Sequence, residues 1–220
     1  MMAGEFYEYG MITMKKALFL ALMSTIGLSA QASDKLSYDY WQFGYIHSEG
    51  ELTSDKTGFK IDLVGSFNES TYLRYIAQEQ TADIWTDNVA GEVTAKEYSV
   101  ALGWHTPMGR STDFFAEVGY LKQDAEGIIP GDTYGNDEDG YLANIGIRSR
   151  FAANWEYTVF AGYRDVDFSP YVDEVNHEDD NDSVYGLETR YYFSKLWSVG
   201  IAVSEEATGL TSGLNLRFTP

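Results

Sequence analysis

Residues 141–151 read Tyr141-Leu142-Ala143-Asn144-Ile145-Gly146-Ile147-Arg148-Ser149-Arg150-Phe151. One face carries Tyr141, Ala143, Ile145, Ile147, Ser149 and Phe151, and the other holds Asn144, Gly146, Arg148 and Arg150. A period of two is the signature of a strand, because successive side chains point to opposite faces of a sheet. The pattern recurs in residues 185–193, where Tyr185, Leu187, Thr189, Tyr191 and Phe193 oppose Gly186, Glu188, Arg190 and Tyr192. Near the end of the chain, Leu214, Leu216 and Phe218 oppose Asn215 and Arg217.

Outward from these stretches, the alternation predicts about ten strands: Leu36–Ser48, Thr57–Phe67, Thr71–Gln80, Ala95–His105, Asp113–Lys122, Gly140–Phe151, Glu156–Val166, Ser183–Phe193, Trp197–Ser204 and Thr211–Phe218. Eight strands is the alternative. No stretch shows a helical period. The connections alternate in length. Asn68-Glu69-Ser70, Thr106–Thr112, Ala152–Trp155 and Ser194-Lys195-Leu196 are short, whereas the first, third, fifth and seventh are longer and polar with Gly or acidic clusters, and the ninth is a shorter Glu205–Leu210. Long and short connections therefore segregate to opposite ends of the sheet.

A soluble barrel would alternate too, so the heights of the aromatics arbitrate. With the apolar faces outward, Trp41, Phe67, Trp104, Phe114, Phe151, Tyr157, Phe193, Trp197 and Phe218 fall at the short-turn rim. Tyr45, Phe59, Tyr75, Tyr98, Tyr120, Tyr141, Tyr163 and Tyr185 fall at the other. Between them lie Ile61, Leu63, Val100, Leu102, Ala116, Val118, Ile145, Ile147, Val159, Ala161, Leu187, Val199 and Ile201, without a charge. Two aromatic girdles around an apolar band suit a membrane and its interfaces, and nothing in water would sort rings by height. The predicted fold is an all-β, transmembrane, up-and-down antiparallel barrel. A soluble periplasmic barrel is the competing reading.

The remaining composition agrees. The 220 residues suffice for one domain, with 15% aromatic residues and no cysteine, so neither a disulfide framework nor a thiolate metal site is expected. A formal charge of -19 speaks against nucleic acid, whose phosphates need clustered Lys and Arg. Lys15 and Lys16, the apolar run Ala17–Leu28 and Ala30-Gln31-Ala32 have the three parts of a cleavable signal peptide, with cleavage before Ser33. The run is short for a spanning helix, which makes a retained anchor the weaker alternative. Glu5 and Glu8 suit an n-region badly, so residues 1–13 read as an extension ahead of a start at Met14. The expected division is 1–32, extension and signal, and 33–220, barrel.

The architecture resembles the small outer-membrane β-barrels of the superfamily that includes OmpX and the OmpA membrane domain. The resemblance covers Leu36–Phe218 and includes the pairs Gly44-Tyr45, Gly103-Trp104, Gly119-Tyr120 and Gly162-Tyr163. The ending Ser212-Gly213-Leu214-Asn215-Leu216-Arg217-Phe218 resembles the terminal signal read by the outer-membrane assembly machinery, through Gly213, Leu214, Leu216 and Phe218, although Thr219 and Pro220 follow. The resemblance implies the bacterial outer membrane, both termini periplasmic, a monomer, and contact with lipid, lipopolysaccharide, that machinery and periplasmic chaperones.

Inward parity collects Lys60, Asp62, Arg74, Glu117, Arg148, Arg150, Glu156, Arg164, Glu188, Arg190 and Arg217, with Phe115, Phe160 and Tyr192. Charges away from water must pair, so a cross-strand ion-pair network is expected ahead of a pore lining. Among loop carboxylates, Asp137, Glu138, Asp139, Glu178, Asp179, Asp180 and Asp182 are weak candidates for divalent cations, lacking the spaced pattern of a calcium loop. A solvated, self-repelling surface is the preferred reading. The histidines His47, His105 and His177 show no Ser-His-Asp spacing, so neither a catalytic site nor a cofactor is expected. A structural or surface-interaction role ranks first, a small cation-preferring diffusion channel second and an outer-membrane enzyme third.

Overall fold

The computed structural model describes residues 36–49, 54–86, 89–130, 132–166, 182–206 and 209–220. The expected signal peptide and extension lie outside the described residues, as do residues 167–181 of the acidic connection between the expected strands Glu156–Val166 and Ser183–Phe193. The strands are β1 (Tyr40–Ser48), β2 (Lys56–Ser66), β3 (Thr71–Thr86), β4 (Val89–Pro107), β5 (Thr112–Ile129), β6 (Asp132–Ala152), β7 (Trp155–Val166), β8 (Asp182–Tyr192), β9 (Trp197–Glu206) and β10 (Gly209–Phe218). Each pairs with its chain neighbours, and β1 closes antiparallel on β10 from Trp41↔Phe218 to Ser48↔Thr211. The count is ten rather than eight, and among the described residues there is no helix.

Closure leaves no edge in the band, which is what lipid demands of a sheet: every backbone N–H and C=O there must find its partner within the protein. Register then fixes the faces. Between the two aromatic rims every strand turns the charged parity inward and the apolar parity outward, the reverse of a protein in water. Phe59 is 72% exposed and Ile145 56%, while Asp62, Glu156 and Arg190 are each at 1%. Val159 shares the outward parity between Ile147 and Leu187, yet its side chain is covered.

The aromatic girdles are real contacts. At the short-turn end Trp41 and Trp197 both pack on Phe218, Trp104 meets Phe114 edge-on, and Trp155 sits between Phe151 and Tyr191. At the opposite rim Tyr45 meets Phe59, and Tyr120 meets Tyr141.

Inside, aromatic rings lie over glycines directly across the ladder. Tyr72 faces Gly103, Phe115 faces Gly146 and Phe160 faces Gly186. A Cβ built on Gly103 would fall 2.2 Å from the Tyr72 ring, and one on Gly186 2.2 Å from the Phe160 ring. The missing side chain is thus the seat of its neighbour's ring, which covers the otherwise weak glycine position.

Three sequence expectations need correction. The stretch Asp132–Asp139, expected as a loop, is the first part of β6 and pairs with β5 from Ile129↔Asp132 to Lys122↔Asp139. Likewise Thr81–Thr86 and Val89–Thr94 pair in register instead of forming a loop. Gly, Asp and Asn have low strand propensity, but propensity is weak beside a partner strand that already offers its hydrogen-bonding edge. Finally, Leu36–Asp39 precedes the first strand rather than belonging to it.

Because Ile145 faces outward at mid-height while Asn144 faces inward, Ile145→Arg is expected to cost about 2–4 kcal/mol of folding stability in lipid, and Asn144→Ser much less. Heat-modified gel mobility after refolding into vesicles measures both, and equal effects would mean that the faces are inverted.

Candidate functional site: the barrel interior

The interior is organised around arginines that reach across strands. Arg74 of β3 grips Asp62 of β2 with two parallel bonds, Nε to Oδ1 at 3.0 Å and Nη2 to Oδ2 at 2.8 Å. Its Nη1 donates to Glu117 Oε2 of β5 at 3.1 Å, passing over β4. Small side chains open that path: Ala101 lies across from Arg74, and Gly119 across from Ala101. Glu117 also accepts from the Tyr72 hydroxyl at 2.9 Å and from Asn144 Nδ2 at 3.1 Å. Its lone pairs are therefore well occupied, as a buried carboxylate requires.

A second group surrounds Glu156 of β7. Arg148 Nε donates to it at 2.8 Å, Arg217 Nη1 at 3.3 Å and the Tyr192 hydroxyl at 2.9 Å, with Arg150 Nη2 at 3.9 Å. Arg217 also reaches Glu188 at 3.3 Å and Gln42 Oε1 at 2.8 Å, and its guanidinium lies 3.8 Å from the Tyr40 ring centroid. Arg190 donates to the same Gln42 oxygen at 2.7 Å, to Ser198 Oγ at 3.0 Å, and to Glu188 and Asn215. Gln42 thus joins β8 and β10 to β1.

Nearer the long hairpins, Arg164 Nη1 donates to Glu97 at 3.0 Å and Glu206 at 3.4 Å, and Gln123 Nε2 to Glu97 at 3.1 Å. Lys60 stands apart: it faces inward but makes no ion pair among the described residues. Gln42, Tyr72, Glu97, Asn144, Ser198, Glu206 and Asn215 complete the network without having been singled out from sequence. Their inward parity was the available signal.

A continuous sheet with charge inside and hydrocarbon outside is at home only in a bilayer. No family model matches the chain, and no curated protein matches it in sequence. Among solved structures, the translocator domain of the autotransporter NalP from Neisseria meningitidis overlays with a TM-score of 0.51 at 10% identity, covering 97% of this chain and 98% of that one. Ail of Yersinia pestis, in complex with the heparin analogue sucrose octasulfate, gives 0.42 at 10% identity over 81% of this chain and 96% of its own. The KdgM porin gives 0.43 at 9% identity over 82% and 99%. Of these three, the NalP overlay shows a common fold. The chain has the fold of a small bacterial outer-membrane β-barrel.

The surface candidates are less concerted. Asp137 and Asp139 share the outward parity of β6, whereas Glu138 points the other way and accepts from Asn136 at 2.6 Å. Asp137, beyond the aromatic rim, is held below the ordinary carboxylate range by a 2.9 Å hydrogen bond from Lys122 and by that residue's charge. Among the described residues no group of metal-ligating side chains converges. Glu178, Asp179, Asp180 and His177 lie outside the described residues, and of Asp182 only the backbone is described. Of the residues expected to form an assembly signal, Leu214, Leu216 and Phe218 face outward on β10 and Gly213 inward. His47 pairs with Asp55 at 3.6 Å on the outside. His105 faces inward, its Nδ1 3.2 Å from Asp113 and its ring stacked on Tyr38 at 3.8 Å, an arrangement without a nucleophile.

Arg74→Ala leaves Asp62 and Glu117 buried and stripped of their cation, a loss of about 3–5 kcal/mol. Lys60→Ala, which breaks no ion pair among the described residues, should cost far less. Urea unfolding followed by tryptophan fluorescence compares the two, and similar midpoints would remove Arg74 from the centre of the network.

Proposed function

We propose that the protein is an integral outer-membrane barrel with a closed, ion-paired lumen, whose role is structural and surface-interacting. The observation that carries this is two groups of guanidinium–carboxylate contacts in the lumen, one across β2, β3 and β5 and one across β6, β7, β8 and β10, with the Gln42 amide tying in β1 and the Asn144 amide joining β6 to Glu117. Ten strands lie near the size at which side chains fill the interior, and open aqueous channels belong to barrels of roughly 16–18 strands. A diffusing ion would have to displace bonds already made between fixed charges.

In this reading the short turns and the end of β10 face the periplasm, and the long hairpins β3–β4 and β5–β6 stand on the cell surface, as in bacterial barrels generally. Outward side chains on those hairpins include Glu79, Asp83, Glu92, Asp124, Glu126, Asp137 and Asp139, against Lys96 and Lys122. Such a face contacts lipopolysaccharide phosphates through shared divalent cations and repels other anionic surfaces. Leu214, Leu216 and Phe218 present the outward side of β10 to the assembly machinery. Catalysis has no part in this reading.

In planar bilayers the purified protein is expected to give no steady conductance, only small and infrequent cation-preferring openings. Glu156→Gln, which unbalances three arginines at once, should make openings more frequent. Steady porin-like conductance from the parent protein would overturn the closed-lumen reading in favour of a diffusion channel.

A further inference from the structure

Leu36–Asp39 belongs to no strand, yet it is held inside the mouth of the barrel. Tyr38 is 6% exposed and shares a cluster with Tyr40, Val64 and Tyr72, against which Leu36 packs. The segment's contacts lie on distant strands. Tyr38 stacks on His105 of β4 with ring planes 12° apart, and the Ser37 carbonyl accepts from Arg148 Nη1 of β6 at 2.6 Å. Strand β6 is five strands from β1 in either direction around the barrel, and Arg148 reaches across the opening to the segment, its guanidinium 5.0 Å from the Tyr38 ring centroid and 5.7 Å from that of Tyr40 on β1.

We propose that residues 36–39 form a plug that docks into and releases from the short-turn mouth, controlling the access of water to the guanidinium–carboxylate network beneath. Its attachment is of a releasable kind. The barrel strands are held by continuous ladders, whereas residues 36–38 are held by ring stacking, apolar packing and the Arg148 side chain, which donates one hydrogen bond and lies over the Tyr38 ring. Docking also leaves the Tyr38 hydroxyl buried without a hydrogen-bond partner among the described residues, a penalty that release into water removes. The hinge is marked by Asp39, whose Oδ1 accepts from the Ser66 backbone N–H at 2.7 Å and pins the chain where β1 begins. Arg148 keeps Glu156 when the plug leaves, so the network survives undocking.

The chain has no cysteine, so one introduced thiol reports on one place. Val64→Cys puts the reporter under the plug, and Leu121→Cys puts a control in the separate apolar cluster with Ala101 and Leu142. In the refolded full mature chain, a charged water-soluble thiol reagent is expected to label Val64→Cys slowly, at a rate that saturates with reagent concentration because undocking limits it. Adding Tyr38→Ala, or His105→Ala from the other side of the stack, should raise that rate at least tenfold while Leu121→Cys stays protected and the gel mobility stays that of a folded barrel. Unchanged labelling in both variants would overturn the proposal. So would the absence of any labelling with the plug intact, or loss of the folded form in both variants, since the segment would then be a fixed part of the barrel. Bilayer conductance does not enter this readout, so it can fail while the closed-lumen reading stands.

Discussion

The seam between β1 and β10 is the constraint on which everything else rests. In hydrocarbon an unpaired backbone N–H or C=O costs several kcal/mol, so an open sheet edge in the band would be prohibitive. The seam removes it, with Gly44 opposite Asn215 and Ile46 opposite Gly213 near its middle. A closed sheet has one inside and one outside, and a one-residue slip anywhere would send guanidinium groups into lipid. Alternation along every strand is therefore obligatory and not merely preferred, which is why it is so plain in the sequence.

Closure also determines the chemistry of the interior. Arginine suits a narrow lumen because its planar fork can hold one carboxylate with two bonds and still reach another strand, as Arg74 does between Asp62 and Glu117. Such pairs contribute little relative to an apolar filling and much relative to half a pair. Their effect is to tie strands that are not neighbours in the ladder. The glycines serve the same end: Gly146 and Gly186 admit the rings of Phe115 and Phe160, and Gly119 clears the path from Arg74 to Glu117.

How much of this was legible follows from what is periodic and what is not. The two faces repeat with period two and are plain within residues 141–151, while strand number and the girdles emerge when the same pattern recurs along the chain. Partners within the lumen do not repeat. Parity turns Arg217 inward, but that it meets Gln42, Glu156 and Glu188 on three other strands depends on barrel curvature and side-chain reach. Gln42 carries no signal beyond its parity, because an uncharged amide is ordinary in a strand. The plug was hidden for the opposite reason: Leu36 and Tyr38 continue the alternation of β1, and nothing local says that the chain leaves the sheet before Tyr40.

The unequal strand lengths are the part that propensity concealed, and charge explains them. Strands β3 to β6 run 16 to 21 residues, while the others run 9 to 12. Roughly 9–11 tilted residues cross a bilayer, so the shorter set is matched to hydrocarbon and the longer set exceeds it. The excess lies beyond Tyr98, Tyr120 and Tyr141, and there the outward face changes character at once: Lys96, Lys122, Asp124, Asp137 and Asp139 replace the uncharged band below. Carboxylates that lipid would exclude are harmless in water, and Lys122 lies within 2.9 Å of Asp137 and 3.5 Å of Asp124. Acidic residues that suggest a loop in a sequence thus mark the height at which a continuing sheet leaves the membrane.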